Sequence, residues 1–171
     1  MKKSLLFCCI FITSLSVFSQ KPYSSAIGTR VEANTTDYPC VGLSYKHYTD
    51  EKKSFEFIAQ TDLAHGIDIC GLFIYNLKLP DVPNAFRLVL GGGGDFGSWS
   101  GYNDDFVIGV ATKVGAEYTF DFMPLNVEID WKPVFNIVTD KKERFWPMKL
   151  GATIRYTLKG IKGSSKSSKK R

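Results

Sequence analysis

The sequence predicts an all-β protein, an eight-stranded antiparallel up-and-down transmembrane β-barrel. Three observations carry this. Apolar and polar residues alternate from residue 26 to residue 158, and turn residues interrupt the alternation at intervals. The apolar rows are rich in Phe, Tyr and Ile. The polar rows carry charge along their length and not only at their ends. Period-2 alternation sends the two rows to opposite faces of a sheet. A soluble barrel would turn the apolar row inward. A barrel in a bilayer turns it out to lipid and encloses the polar row. Charges this numerous within the strands, opposite long apolar rows, point to the second arrangement.

Composition sets the frame. The chain has 171 residues, 44% hydrophobic and 14% aromatic. That is one domain, too apolar for disorder. The formal charge is +5, but Lys2 and Lys3 supply two cations. Another six (Lys159, Lys162, Lys166, Lys169, Lys170, Arg171) lie at the C-terminus with no acid among them. Residues 20–158 are left with 14 cations against 17 acids, a net of −3. This is not a basic domain, and nucleic acid is not an expected partner.

Residues 1–19 read MKKSLLFCCIFITSLSVFS. Two lysines, an apolar run from Leu5 to Ile12, then Val17 and Ser19 at the −3 and −1 positions predict a secretory signal peptide cut after Ser19. The barrel is then expected over 20–158, with 159–171 as a basic, solvated tail. Removing the signal leaves Cys40 and Cys70 in an oxidising compartment. By parity both face the lumen, with a strand between them. Their backbones would stand roughly 10 Å apart, beyond disulfide reach unless barrel curvature shortens the span, so the sequence leaves a bridge between them open.

The strands are expected at 26–33, 40–49, 54–64, 67–79, 85–99, 107–120, 125–138 and 148–158. The first places Arg30 and Glu32 on the polar row. In the second, Val41, Leu43 and Tyr45 oppose Ser44, Lys46 and Tyr48. In the third, Phe55, Phe57 and Ala59 oppose Glu56, Ile58, Gln60 and Asp62. The fourth sets Ile67, Ile69, Phe73 and Tyr75 against Asp68, Cys70, Leu72, Ile74 and Asn76. The fifth contributes Arg87 and Asp95 to the polar row. In the sixth, Val110, Val114 and Tyr118 oppose Lys113 and Glu117. The seventh sets Val127, Ile129 and Trp131 against Glu128, Asp130 and Lys132. The last sets Leu150, Ala152, Ile154 and Tyr156 against Gly151, Thr153 and Arg155. The expected lumen charge network is therefore Arg30, Glu32, Lys46, Glu56, Asp62, Asp68, Arg87, Asp95, Lys113, Glu117, Glu128, Asp130, Lys132 and Arg155. An eight-stranded barrel is only wide enough to be filled by side chains, so these should pair and plug it. Tyr45, Tyr75, Tyr118, Phe120, Trp131 and Tyr156 fall near strand ends, as aromatic girdles do. With an even strand number both termini lie on one side, the periplasm for an outer-membrane barrel.

Several stretches resemble a known group: AIGTRVEA, VGLSYKHYTDEKKSFEFI, LVLGGGGDFG, VGAEYTFDFMPLNVEIDWKPVFN and LGATIRYTL. They resemble the small eight-stranded outer-membrane β-barrel proteins of the Bacteroidota, similar in architecture to OmpX/OmpA-like and opacity-protein barrels. The resemblance spans residues 26–158. It implies location and architecture more than chemistry. It also implies a C-terminal signal for the barrel-assembly machinery at Gly151, Ile154, Tyr156 and Leu158, with Leu158 where Phe is usual.

Other motifs point to little chemistry. Gly92-x-Gly94-x-x-Gly97 matches the dinucleotide fingerprint, but a strand and not a helix is expected after it, so a glycine-rich strand is the better account. His65 lies at a tight outer turn between Asp62 and Asp68. With Asp68, or with Ser98, Ser100, Asp104 and Asp105, it defines the one place for a surface hydrolase or acyltransferase. A His-Gly hairpin tip is more often only a turn, and no enzyme activity or cofactor is expected. The chain reads as a structural or interaction component of the envelope in contact with outer-membrane lipid. The alternatives are an accessory subunit of a secretion or uptake complex, and an enzyme at His65. The tail offers a contact for anionic headgroups or an acidic envelope protein.

Overall fold

The structure, a computed structural model, describes residues 23–34, 39–64, 66–79, 82, 85–99, 105–139 and 145–160. The predicted signal peptide, His65, Ser100, Asp104 and all but the first two residues of the predicted tail lie outside the described residues.

The described residues form strands and no helix: β1 (Tyr23–Asn34), β2 (Cys40–Tyr48), β3 (Lys53–Thr61), β4 (Gly66–Lys78), β5 (Phe86–Trp99), β6 (Asp105–Thr119), β7 (Leu125–Trp131), β8 (Val134–Val138), β9 (Phe145–Trp146) and β10 (Lys149–Gly160). Every pairing is antiparallel. Each strand from β1 to β6 pairs with the next, β6 pairs with both β7 and β8, β10 pairs with β7, and β1 pairs with β10. The ladder therefore closes on itself as an eight-stranded barrel. The predicted strand 125–138 is β7 followed by β8. The break falls at Lys132 and Pro133, because proline has no N–H to give to the ladder. The Thr112 N–H still donates to the Pro133 carbonyl at 3.0 Å, and the Lys132 N–H donates to the Lys149 carbonyl at 2.8 Å. One wall strand thus passes the proline with its partners kept. The predicted loop 139–147 is shorter than expected: Phe145 and Trp146 pair with Phe135 and Val134.

The apolar rows face out. Leu43, Phe57, Ile69, Ile129 and Ile154 are all more than half exposed, while Ser44, Glu56, Asp130 and Arg155 on the alternate row are buried. A soluble fold would not leave so many large side chains in water, because contiguous exposed apolar surface is normally limited to a few hundred Å². A closed hydrogen-bonded ring with an apolar exterior is what a hydrocarbon environment requires. The glycine-rich stretch 91–94 lies inside β5, paired to β4 and β6, and the strand continues through Gly97 to Trp99. At Gly93 a Cβ would sit 1.9 Å from the Gly71 carbonyl oxygen, so close strand approach excludes any side chain there.

Two rims follow. One carries the ends Tyr23 and Gly160 and the turns after β2, β4 and β6. The other carries the turn after β3. There Asp62, predicted for the lumen, lies beyond the end of β3. Its carboxylate accepts the N–H groups of Ala64 at 3.2 Å and Gly66 at 2.9 Å. An aspartate bonding to backbone just ahead of it initiates a turn. Leu63 completes that turn in the left-handed region, with φ 64°.

If the outer rows meet hydrocarbon, Phe57→Arg, at the centre of β3, should lower unfolding free energy by about 2–4 kcal/mol. Urea titration of protein refolded in phospholipid vesicles measures this. Unchanged stability would place that face in water.

Candidate functional site: the charged lumen

The alternate rows converge on the barrel axis and, among the described residues, bury fourteen charged side chains. The cations are Arg30, Lys46, Arg87, Lys113, Lys132, Lys149 and Arg155. The acids are Glu32, Glu56, Asp68, Asp95, Glu117, Glu128 and Asp130. Seven stand against seven. The sequence-based set of six cations and eight acids becomes balanced because Asp62 moves to the turn and Lys149 joins. Lys149 was reachable from sequence, since the inward parity of Gly151, Thr153 and Arg155 runs back to it.

The groups form a graded chain along the axis. Near the rim with the chain ends, Glu117 accepts the Lys46 ammonium at 2.7 Å and the Tyr48 hydroxyl. The Arg87 guanidinium lies 5.5 Å from the centre of the Tyr48 ring, within cation–π range. At mid-height Arg155 bonds to Glu56, to Glu128 at 2.8 Å and to the Ser44 hydroxyl at 2.9 Å. Lys113 bonds to Glu128 and to Glu56 at 2.6 Å. Above these, Arg30 grips Asp130 with both terminal nitrogens, at 2.6 and 2.8 Å, and reaches Glu32 at 3.0 Å. A fork-to-fork contact of this kind is the strong form of the guanidinium–carboxylate bond. The other end is looser. Lys132 lies 3.4 Å from Glu32 and 3.6 Å from both Asp68 and Asp95. Lys149 lies 3.4 Å from Asp68. Gln60 stitches this group by donating to Glu32 at 2.9 Å and to Asp68 at 2.8 Å.

The lumen is not charged all round. Ile58, Cys70, Leu72, Ile74, Val89, Val107, Ala111, Val134 and Trp146 form a buried apolar cluster along the β3–β6 side. Ile58, Leu72 and Ile74 had the polar parity in the sequence, and the barrel gives them a dry wall of their own. Aromatic rings close the column. Tyr23 and Tyr48 meet edge to face at 4.9 Å at one end. At the other, buried Trp146 stacks under the Lys149 ammonium, 4.9 Å from its ring centre. Trp146 was hidden from sequence reasoning because Pro147 and the charged stretch before it read as loop.

Gly151, predicted for the assembly signal, has a local role in this site. A Cβ there would stand 2.0 Å from the Arg30 Nη2 atom, so its missing side chain is the space the guanidinium occupies. Ile154, Tyr156 and Leu158 point outward and are 57%, 57% and 54% exposed. Cys40 and Cys70 are buried, and no disulfide joins them. Among the described residues no group of three or more His, Cys, Asp and Glu side chains could hold a metal ion.

What the arrangement does physically is neutralise itself. A lone ion in this interior would cost several kcal/mol, and only close pairing offsets that cost. No protein-family model and no curated protein sequence matches the chain. Among solved structures it is similar to the N-terminal β-barrel domain of Pseudomonas aeruginosa OprF, with a TM-score of 0.62 at 14% identity over 80% of this chain and 98% of that one. It is also similar to Neisserial surface protein A (NspA), with a TM-score of 0.51 at 12% identity over 78% of this chain and 94% of that one. At these identities the shared property is the closed eight-stranded barrel.

Two measurements test this lattice. Arg155→Met should cost about 3–5 kcal/mol, because Glu56 and Glu128 lose a shared partner. Adding Glu56→Met should recover part of that loss in a double-mutant cycle, and strict additivity would contradict the pairing. Gly151→Ala should cost about 1–3 kcal/mol by overpacking Arg30. It should do so even in detergent refolding without assembly factors. A variant that refolds like wild type there, yet assembles poorly in cells, would assign Gly151 to recognition alone.

Proposed function

We propose that this chain is an integral outer-membrane protein whose barrel passes no solute and serves the envelope as a structural or interaction component. The observation that carries the reading is the filled axis. Among the described residues seven cations and seven carboxylates are buried together in the lumen, most of them in close ion pairs, with Tyr23 and Tyr48 toward one end and Trp146 toward the other. Ions or solutes would have to break buried pairs to pass. The apolar exterior supports membrane residence, and the likeness in fold to a protein named as a Neisserial surface protein supports a place in the envelope.

The finer reading follows from the same features. The rim with Tyr23 and Gly160 faces the periplasm, as termini of even-stranded barrels do. The signal peptide delivers the chain. Ile154, Tyr156 and Leu158 present the outward row read by the assembly machinery, and the basic C-terminal segment meets anionic groups on the periplasmic side. The ancestry is that of the small Bacteroidota barrels. The protein is not an enzyme in this reading: the Ser44 hydroxyl that donates to Glu56 at 2.9 Å and accepts from Arg155 is fully buried within the charge network, where no substrate reaches it.

The mature protein should fractionate with outer membranes and migrate faster on unheated gels than on heated ones. In planar bilayers it should give no steady conductance. A stable open channel would refute the plugged lumen, and recovery from the soluble periplasm would refute membrane residence. His65→Ala should leave all three behaviours unchanged.

A further inference from the structure

Among the described residues, every charge buried in the lumen except Arg87 has an opposite charge within ion-pair distance. The cross-strand neighbour of Arg87 on β6 is Glu117, but both Glu117 oxygens are taken. Lys46 donates to one at 2.7 Å and the Tyr48 hydroxyl donates to the other. Arg87 is left with the face of the Tyr48 ring, 5.5 Å away. A ring face attracts a guanidinium and leaves the N–H fork unused. Arg87 is 4% exposed, and its charged end reaches the surface: none of its nitrogens is among the sealed polar atoms. The fork therefore looks out of the mouth of the barrel, at the rim with the chain ends.

A second cation stands beside it. Across β4 and β5, Arg87 lies directly opposite Lys78. Lys78 continues the inward parity of Asp68, Cys70 and Asn76 to the rim. Its ammonium meets an acid in Glu51, at 4.0 Å, where the Glu51 side chain is 74% exposed. A surface pair of that length contributes little. Like charges directly opposite one another destabilise a ladder, and their Cβ atoms stand about 5 Å apart. Two long side chains so placed can converge on one anion.

The column below is biased in the same sense. The half toward this rim holds Lys46, Arg87, Lys113 and Arg155 against Glu56, Glu117 and Glu128, four cations to three acids. The other half holds Arg30, Lys132 and Lys149 against Glu32, Asp68, Asp95 and Asp130, three to four. The acid on the same strand, Asp95, is roughly 26 Å from Arg87 along β5, too far to serve it.

We infer that Arg87 and Lys78 form an anion site at the mouth of the lumen that takes one phosphoryl group. The Arg87 fork grips two of its oxygens and the Lys78 ammonium meets a third. The planar fork matches phosphate oxygens in pairs. Two adjacent cations suit a phosphate monoester, which carries nearly two negative charges, better than a singly charged carboxylate. Tyr48 and Tyr23 close the lumen beneath, so the group is held at the mouth and does not pass. The site goes beyond the structural role proposed above, and it needs the closed barrel but not the orientation given to it there.

The test uses the full mature chain refolded in neutral detergent. Inorganic phosphate is the probe, against chloride at matched ionic strength. Phosphorus NMR titration should show one saturable site. Arg87→Met should weaken it about tenfold, and Lys78→Gln about threefold. Phosphate should raise the temperature at which the folded band is lost on gels in wild type and not in Arg87→Met. In chloride alone Arg87→Met should stay folded to the wild-type temperature or above it, because no carboxylate loses a partner. Lost binding is then distinct from lost folding. Displacement of phosphate by glycerol phosphate gives the site to soluble phosphate monoesters, and displacement by phosphatidylglycerol alone gives it to a lipid headgroup; either supports the phosphoryl site. Binding that matched chloride abolishes, or that Arg87→Met leaves unchanged, would overturn it. Acetate that displaces phosphate at equal concentration would make this a carboxylate site and overturn the phosphoryl assignment. An Arg87→Met barrel that unfolds well below wild type in chloride would show the guanidinium already satisfied within the barrel, and would overturn it as well.

Discussion

Closure of the backbone ladder is the constraint from which the rest of the molecule follows. In hydrocarbon an unpaired N–H or C=O has no water to turn to, and an open sheet edge would expose a whole row of them. The β1–β10 and β5–β6 pairings remove both edges. Once the ring closes at eight strands its interior is only as wide as the side chains that fill it. Whatever points inward must be satisfied by other inward residues. The apolar exterior and the neutral interior are two consequences of one closed ring.

The interior meets this demand unevenly. From Glu117 to Asp130 the contacts are short and shared: Glu56, Glu128 and Asp130 each meet two or more cations, and Glu117 meets Lys46 and the Tyr48 hydroxyl. Arg30, Lys113 and Arg155 act as bridges between strands far apart in sequence, such as β10 and β3 through Arg155 and Glu56. Around Lys132 the distances lengthen to 3.4–3.6 Å. The mid-lumen is thus the tightly paired part of the column, and the region toward the turn after β3 the more widely spaced one. Pairing of this kind is a weak source of net stability, because desolvation offsets most of the Coulomb gain. Its consequence is specificity: a strand register shifted by one residue would place several ions against lipid.

Glycine and apolar residues complete the fit. Gly151 yields its volume to Arg30, and Gly93 lets β5 approach β4 without a clash. The apolar cluster along β3–β6 lets one side of the lumen close without further ions, which keeps the count at seven and seven. The outer wall is also differentiated, since small side chains on β6 and β10 leave a groove across β1, β10, β7 and β6 that larger neighbours frame.

The sequence by itself determined the class of the barrel and which of its two rows faces out. Period-2 alternation is a local property, and charges such as Glu56, Asp130 and Arg155 on the row opposite Phe57, Ile129 and Ile154 decide which face turns outward. It also located most turns and thirteen of the ionisable side chains found in the lumen, for the same reason. Only the tertiary structure decided the partners. Ion pairs such as Arg30 with Asp130, one hundred residues apart, depend on closure and on strand stagger, which no local pattern encodes. The fate of Asp62 turned on where β3 ends, and that of Trp146 on how the chain passes Pro147. The outer groove arises from side-chain sizes on four strands that only the closed ring brings side by side.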